Sequence, residues 1–554
     1  MKLKKIFFAF LFIVLGITLG SCDNDFLNTL PQDKISPDKF WLTSTDAETA
    51  LNALYIHLPS LSDPNGKESA DPTRFTEIEW DMLSDIAHAN DDATKLIRIE
   101  RSEQTADLTV FLDLWRDLYR GVHDVNYFIE NVSKVTENDP LFTDEIMKNE
   151  IAQARVIRAI NYMKLVTIFG SVPLITKTLT LEEGRNVTQV EPNEIWDYVA
   201  TEFDEAALDL KTSYKDESSS IGHITKGAAW GMKARAMLYA GRYAEAETAA
   251  QKVMDLNTYS LYPYYSKMFT YEGQNNCEVI LDRQYEKAIA PYGLFNSMAP
   301  KGMNGKTSMV PTRTLIDAYE TVDGSAIDPY NPYANRDPRL YATVYLPAFS
   351  DAVAGDIMYN GVELDPRPGS GTVDEINVDY RRTKTGFGIK KYINKEDLND
   401  RSNCGTNFII LRYADVLLMY AEARIEQNKI DATVYNAINQ VRNGRKDVKL
   451  PSIPAGKSQE QLRQIVRHER EVELALEGLR YFDLRRWHTA EDVLEGLIPG
   501  FRYVAIGDDS QSGKINEVNY GGVIRAFNAQ RDYLFPIPQQ ELDLNTNLKQ
   551  NTGY

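Results

Sequence analysis

Apolar residues recur every three or four positions over long stretches of the chain, which predicts a mainly α-helical protein. Val156, Ile160 and Met163 share one stripe, and charged or amide side chains take the other positions. We expect this helix to end at Gly170, because a glycine in that place and a proline soon after it are helix-stop signals. The preceding stretch, Val110–Asn131, has the same period and predicts another helix.

Two segments have the pattern of helical hairpins. Residues Gly227–Asp255 predict a helix, a tight turn at Gly241 and a second helix, with small residues such as Ala246 where the two must approach closely. This pattern is typical of tetratricopeptide-type units. A looser version runs from Arg412 to Arg445. The repeats diverge, so they predict a scaffold of hairpins and not a regular solenoid.

Long stretches without a helical period separate these hairpins. Residues 258–311 and 321–402 are rich in Gly, Pro, Asn, Asp and Tyr, and the alternating run Cys277–Tyr285 predicts a short strand. Loops of this length often carry function, so we expect the helices to support and the loops to recognise a ligand. No Gly/Ser-rich or Pro-rich linker interrupts the chain, which favours one compact body.

The start of the chain has the pattern of a lipoprotein leader. Three lysines precede an uncharged run, Ile6–Ser21, that is short for a permanent membrane span. Leu19–Cys22 resembles a bacterial lipobox, which predicts cleavage of residues 1–21 and attachment of lipid, including palmitate, to Cys22. The acidic stretch Asp23–Asp25 resembles a surface-export signal of some Gram-negative lipoproteins. We therefore expect a lipid-anchored outer-membrane protein that faces the cell exterior.

Charge excludes one class of partner. The formal net charge is −19, and loss of the leader with its three lysines takes it from −19 to −22. Nucleic-acid binding requires a basic surface, so we exclude that class. The lipid, and not a basic patch, would hold the protein to the membrane. The 31 tyrosines suit either helix packing or stacking on sugar rings.

Motifs for catalysis and for cofactors are missing from the sequence. The six histidines form no zinc-type pair, and we find neither a G-x-S-x-G elbow nor a phosphate-binding glycine loop. We therefore predict no enzymatic activity, no catalytic residues, no catalytic metal and no cofactor. The 80 acidic residues leave a glycosidase-type carboxylate pair open. Oxygen-bearing side chains that could hold a structural calcium ion, without EF-hand spacing, are Asp323, Asp328, Asn331, Asn335 and Asp337.

Two cysteines remain beyond the leader. Cys277 and Cys404 could oxidise to a disulfide outside the cytoplasm, or they could be two separate buried thiols. The sequence leaves both alternatives open.

Two segments combine aromatic and polar residues in the way a sugar site requires. The first, Phe75–Ala93, offers Trp80, Asp81, Asp85 and Asn90 as ligand contacts. The alternative is that Trp80 anchors the loop to the core, as buried tryptophans usually do. The second segment, with loop packing as its alternative, offers Arg283, Tyr285, Tyr292, Phe295 and Asn296.

Four segments resemble the SusD/RagB family of outer-membrane lipoproteins: Ala152–Thr176, Arg412–Ala423, Arg467–His488 and Tyr533–Tyr554. The resemblance covers most of the chain outside the leader, although threonines at 546 and 552 stand where the family usually has prolines. It implies a mainly helical fold with tetratricopeptide-like units, in an N-terminal half over 22–260 and a C-terminal half with ligand loops over 261–554. The densely charged Arg467–His488 is predicted to be scaffold, because such ion pairs are common structural elements.

The resemblance also implies a role. Family members bind a nutrient, usually a glycan, and form the lid of a SusC-like TonB-dependent transporter. In the family, an aromatic residue of the loop that corresponds to Phe75–Ala93 often helps to form the ligand platform. The alternatives are a RagB-like lid that binds peptides, a surface glycoside hydrolase that depends on a carboxylate such as Asp85, and a structural protein without a ligand.

Overall fold

Helices make up most of the fold. The computed structural model of the protein describes residues 40–61, 76–90, 96–215, 217, 220–376 and 382–554. The predicted leader, Cys22 and the acidic residues after it lie outside the described residues, so these expectations stay predictions. Within the described ranges, no helix has the length and apolar character needed to cross a membrane.

The predicted helices before residue 170 are confirmed. Leucine, valine and aromatic side chains form the buried stripe of the helix Thr109–Asn131, and the helix Asp144–Phe169 is capped by Gly170, whose φ is 73°. The helices in chain order are α1 Ser44–Leu54, α2 Leu96–Glu100, α3 Thr109–Asn131, α4 Asp144–Phe169, α5 Leu181–Gly184, α6 Pro192–Asp209, α7 Lys226–Tyr239, α8 Tyr243–Asp255, α9 Tyr265–Met268, α10 Leu294–Met298, α11 Arg313–Ala318, α12 Pro338–Thr343, α13 Tyr413–Glu426, α14 Ala432–Asn443, α15 Gln459–Glu473, α16 Arg480–Arg486, α17 Ala490–Val493 and α18 Gln539–Leu544.

Both predicted hairpins are present. The first consists of α7 and α8, joined at Gly241 with a φ of 71°. Ala234, Ala246 and Ala250 are completely buried where the two helices pack. The second consists of α13 and α14, and α13 also packs against α8. The two hairpins therefore form one continuous helical scaffold.

Short antiparallel strand pairs lie between the helices. The predicted strand within Cys277–Tyr285 is confirmed as Val279–Arg283, which pairs with Phe408–Arg412. The longest pair is the ribbon of Gly496–Val504 and Ile515–Arg525. The strands are β1 Ala87–Ala89, β2 Val172–Pro173, β3 Gln189–Val190, β4 Val279–Arg283, β5 Met309–Pro311, β6 Val344–Tyr345, β7 Gly388–Ile389, β8 Phe408–Arg412, β9 Gly496–Val504 and β10 Ile515–Arg525. The other pairs are β1 with β5, β2 with β3, and β6 with β7.

The hydrophobic core continues across residue 260. Buried residues of α7 and α8 belong to the same cluster as those of β8 and α13. The approach is close at Gly231 of α7, where a Cβ atom would lie 2.4 Å from Leu411 Cδ2 of β8. This packing agrees with one compact body. The division into 22–260 and 261–554 stays a prediction.

The charged stretch Arg467–His488 is built into the core. Glu473 of α15 is completely buried and accepts hydrogen bonds from Arg339, Arg412 and Arg445 at 2.7, 2.5 and 2.8 Å. Burial raises the pKa of the Glu473 carboxyl, but the three guanidinium groups more than offset this and hold the pKa well below its usual range. A fourth buried guanidinium, that of Arg470, binds Asp415 at 2.8 Å and Asp483 at 3.0 Å. The predicted scaffold role is therefore confirmed.

The two cysteines of the described chain are free thiols. Cys404 is buried and Cys277 is partly exposed. Burial raises the pKa of the Cys404 thiol to about 12, so this cysteine stays protonated at neutral pH. Of the two alternatives, the structure has separate thiols.

Candidate functional site

Trp80 is a core residue. It lies in a 3₁₀ helix, Glu77–Leu83, and only 2% of its surface is exposed. Its ring lies 4.9 Å from that of Phe482, 6.0 Å from Tyr481 and 6.1 Å from Phe535, measured between centroids. These rings cover the indole, so the prediction of Trp80 as an exposed sugar platform is wrong and the packing alternative holds.

Asp81 and Asp85 bind the start of α16 and are not presented to a ligand. Asp81 accepts the backbone N–H groups of Gly478 and Arg480, both at 3.0 Å. Asp85 receives Nε and Nη2 of Arg480 at 2.9 and 2.8 Å. Burial raises the pKa of Asp81 to about 7, although the two N–H donors favour its charged form. Both carboxylates are buried and engaged, so the prediction that they contact a sugar is wrong.

Asn90 connects three loops and is also buried. Its side chain donates to the Arg382 carbonyl at 2.8 Å and accepts the Lys384 N–H at 3.0 Å. Its backbone N–H donates to the Ser308 carbonyl at 2.9 Å. Asn90 therefore positions surface residues, and its predicted direct contact with a ligand does not fit its 1% exposure.

The aromatic residues of the second predicted segment lie inside their loop, and not on its surface as a ligand contact requires. The rings of Tyr285 and Tyr292 are 4.6 Å apart, both residues are buried, and Phe295 is completely buried. Tyr285 Oη accepts the Leu61 N–H at 2.9 Å. For these three residues the loop-packing alternative holds.

Arg283 and Asn296 keep part of their surface in solvent. The Arg283 guanidinium lies 6.0 Å from the centre of the Tyr285 ring, and burial lowers the pKa of this arginine. Asn296 donates its backbone N–H to the Arg401 carbonyl at 3.0 Å and accepts the Lys306 N–H at 2.8 Å. Of the nine predicted ligand contacts, only these two are half-exposed, and both remain candidates.

Ser308 connects the two predicted segments in the structure. Ser308 accepts the Asn90 N–H and donates its own N–H to the Ser297 carbonyl, at 2.9 Å in each case. Hydrogen bonds of this kind connect four stretches of the chain: residues 283–308, 372–376, 382–384 and 401–404. We call this surface the loop face.

Tyr520 extends the loop face, and the sequence did not mark it. Lys384 Nζ donates to Tyr520 Oη at 2.9 Å and lies 4.6 Å from the centre of its ring. Tyr520 is half-exposed on β10, more than 130 positions from Lys384. An aromatic ring beside hydrogen-bonding groups suits a sugar, but its neighbours are remote in sequence and no local pattern could identify it.

Half-exposed cations also gather on the loop face. Arg283, Lys301, Arg382 and Arg401 form no ion pair with a carboxylate in the described part of the chain. Nε of each of the three arginines is buried and has no hydrogen-bond partner there. Among the described residues, Arg382 Nη1 donates to the carbonyls of Thr372 and Glu375, at 3.4 and 3.3 Å. Three arginines of the helical core differ, because Arg339, Arg412 and Arg470 pair with buried carboxylates.

Two other concavities contain none of the predicted ligand contacts. A groove of about 470 Å³ lies between α3, residues 173–187 and α18, and its largely apolar lining includes the exposed Leu181 and Leu544. A cleft of about 210 Å³ between residues 212–215, 221–225 and β4 is lined by Tyr214, His223 and other side chains.

The acidic loop proposed for calcium uses its oxygens internally. Asp323 accepts the Ser325 N–H, Asp328 accepts the Tyr330 N–H, and Asp337 pairs with Arg339. Across the ranges that the structure describes, no three His, Cys, Asp or Glu side chains are grouped to hold a metal ion.

Comparison with known proteins assigns both parts of the chain to one family. Residues 268–554 match the model of the SusD family, and residues 25–238 match a model described as starch-binding and associating with the outer membrane. Starch-binding protein SusD of Bacteroides thetaiotaomicron is 25% identical over 100% of this chain and 99% of its own length. SusD-like protein P25 of Formosa agariphila is 25% identical over the full length of both chains. The crystal structure of a SusD-like carbohydrate binding protein from Bacteroides fragilis is 30% identical, with a TM-score of 0.81 over 92% of this chain and 100% of that chain.

Proposed function

Because the chain belongs to the SusD/RagB family, we propose that it is a non-catalytic protein that binds an oligosaccharide or polysaccharide at the outer membrane. The observation that carries this proposal is the full-length similarity to relatives whose names state starch or carbohydrate binding. The helical scaffold matches over the same length, so the likeness is not limited to one motif.

We place the ligand on the loop face. Its half-exposed side chains offer donors and acceptors, and Tyr520 supplies an aromatic surface next to Lys384. Sugars need this combination, because their C–H faces stack on rings while their hydroxyl groups form hydrogen bonds. The groove beside α3 has a largely apolar lining and contains none of the predicted ligand contacts.

The cellular role rests on the start of the chain and on the family. Cleavage before Cys22 and lipid on its thiol would anchor the protein, and the acidic residues that follow would direct it to the cell exterior. There it would deliver its ligand to a SusC-like TonB-dependent transporter and act as the lid of that transporter. The family model described as associating with the outer membrane supports this location.

Calorimetric titration of the purified protein against a panel of polysaccharides and a peptide digest tests the proposal. We expect saturable binding to a glycan, with millimolar to micromolar Kd values, equivalent to about −4 to −8 kcal/mol. Replacement of Tyr520 by alanine removes a stacking surface and should weaken glycan binding several-fold. The matched control is Tyr127→Ala, which removes an exposed ring of α3 outside the loop face.

Other outcomes would identify the alternatives. Binding to peptides alone would contradict the carbohydrate proposal and favour a RagB-like lid. Shortening of the glycan during incubation would indicate a hydrolase. For Asp85 that role does not fit the structure, because Arg480 holds both of its oxygens.

A further inference from the structure

We propose that the loop face selects glycans that carry negative charge, as carboxylate or sulfate groups, through Arg283, Lys301, Arg382 and Arg401. This inference rests on the proposed function and specifies the class of its ligand. It does not follow from overall charge, because the chain has a net charge of −19 and should repel anions at long range. It follows from the position of these four cations on the loop face, where they form no ion pair with a described carboxylate.

Arg283 and Arg401 lie at one end of the face. Arg401 immediately precedes the loop in which Cys404 and Tyr292 exchange backbone hydrogen bonds, at 2.9 and 3.0 Å. The Tyr292 ring packs against that of Tyr285 at an angle of 59°, and Tyr285 lies under the Arg283 guanidinium. These contacts hold the backbone of both arginines, while their guanidinium groups bind no described carboxylate.

Lys301 and Arg382 lie at the other end. Asp374, which is 1% exposed, accepts the Gly302 N–H at 3.0 Å. The positive charges of Lys301 and Arg382 act to lower the pKa of its carboxyl. It forms an ion pair with neither, and burial raises the pKa of its carboxyl. The Asn296–Lys306 and Ser297–Ser308 backbone contacts join this end to the first.

Three acidic side chains around the face accept hydrogen bonds or form an ion pair within the described chain. Glu375 accepts the N–H groups of Gly369 and Gly371, Asp400 accepts the Asn403 amide, and Asp397 pairs with Lys287. Glu286 is the exposed carboxylate nearest to Arg283 along the chain. None of these four acids forms an ion pair with Arg283, Lys301, Arg382 or Arg401 in the described part of the chain.

An anionic sugar would complete this arrangement. Partial burial removes water from a guanidinium, and an opposite charge with matched hydrogen bonds restores what is lost. Carboxylate and sulfate groups can each accept two parallel N–H bonds from one arginine. Arginines of the core receive such partners from the chain itself, as Arg412 does from Glu477 at 2.9 and 2.8 Å. On the loop face no described carboxylate takes this place, and the inference assigns it to the ligand.

The test is calorimetric titration of the purified protein with polygalacturonate, dextran sulfate and neutral laminarin. We expect a charged polymer to bind more tightly than laminarin, and to bind more weakly as ionic strength rises from about 0.01 to about 0.15 M. Preference for polygalacturonate or for dextran sulfate would identify carboxylate or sulfate as the recognised group.

Charge-removing variants test the residues. Arg401→Gln and Arg382→Gln should each weaken binding of the charged polymer about tenfold, because each removes a charged hydrogen-bonding group. Arg401→Lys keeps the charge but loses the planar fork, and should fall between wild type and Arg401→Gln. The matched control is Arg120→Gln on α3, an exposed arginine without an ion pair in the described chain.

The outcomes separate this inference from the proposed function. Binding of laminarin alone, without salt dependence, would overturn the inference and leave carbohydrate binding intact. Equal losses in Arg401→Gln and Arg120→Gln would also overturn it, since general charge and not the loop face would be responsible. Absence of binding to any glycan would contradict both the proposed function and this inference. Binding of acidic peptides alone would show that the same cations belong to a peptide-binding site.

Discussion

At the scale of single residues, Gly478 shows how closely the scaffold approaches the segment once expected to bind sugar. Its φ is 80°, and a Cβ atom added there would lie 2.0 Å from the Glu77 carbonyl oxygen. Its N–H also donates to Asp81. Only glycine satisfies both the left-handed backbone and the close contact.

We therefore expect Gly478→Ala to lower the free energy of unfolding by more than about 3 kcal/mol. The control is Gly456→Ala, where φ is 85° but no atom lies near an added Cβ; left-handed backbone alone should cost about 1–2 kcal/mol. Denaturant titration of both variants measures the difference. Equal losses would mean that the contact with Glu77 contributes nothing.

The same region shows what the sequence could not predict. Trp80 and the nearby carboxylates have the composition of a sugar site, and composition cannot reveal that their partners lie some 400 positions away at Gly478, Arg480 and Tyr481. The sequence names the half-exposed Arg283 and Asn296, which stay predicted ligand contacts. Lys384 and Tyr520 were not predicted, because their proximity arises only in the folded chain.

At the scale of elements, the pattern predicted helices well and loops poorly. The 3.6-residue period predicts α3, α4 and both hairpins, because the buried stripe of a helix consists of apolar residues three or four positions apart in the sequence. Residues 258–311 and 321–402 have no such period. Their short strands depend on pairing with distant partners, as β1 does with β5, so only β4 was recognised.

Helix α15 carries both buried and exposed carboxylates. Glu473 lies within a cage of three buried arginines, whereas Glu460 pairs with Arg463 at the surface. We expect Glu473→Gln to lower the free energy of unfolding by about 3–5 kcal/mol, because it leaves buried guanidinium groups without their shared anion.

Glu460→Gln on the same helix should cost less than about 1 kcal/mol, since exposed pairs contribute little. Denaturant titration monitored by circular dichroism compares the two variants directly. A small loss for Glu473→Gln would show that neighbouring acids such as Glu278 and Glu477 can neutralise the cage alone.

At the scale of the whole molecule, buried carboxyl groups of two kinds determine how stability depends on pH. Burial raises the pKa of Glu79 to about 8 and of Glu150 to about 8, from 4.5. Such groups stabilise the fold fully below their unfolded pKa, and this contribution is lost as pH rises toward 8. For Asp415, burial is outweighed by Arg235 and Arg470, which lower its pKa to about 2. Its contribution is present above its unfolded pKa and is lost as pH falls toward 2.

Both kinds of group therefore favour a stability maximum in mildly acidic solution, and Glu150 allows a direct test. Its Oε2 is buried without a hydrogen-bond partner in the described structure, so ionisation there has no compensation. Glu150→Gln should raise the free energy of unfolding by more than about 1 kcal/mol at pH 8 and leave it nearly unchanged at pH 4, where the native carboxyl is protonated. Glu145→Gln, an exposed change in the same helix, should do neither. Denaturant titrations at the two pH values measure both variants, and a Glu150→Gln variant no more stable than wild type at pH 8 would show that this carboxyl ionises in the fold without penalty.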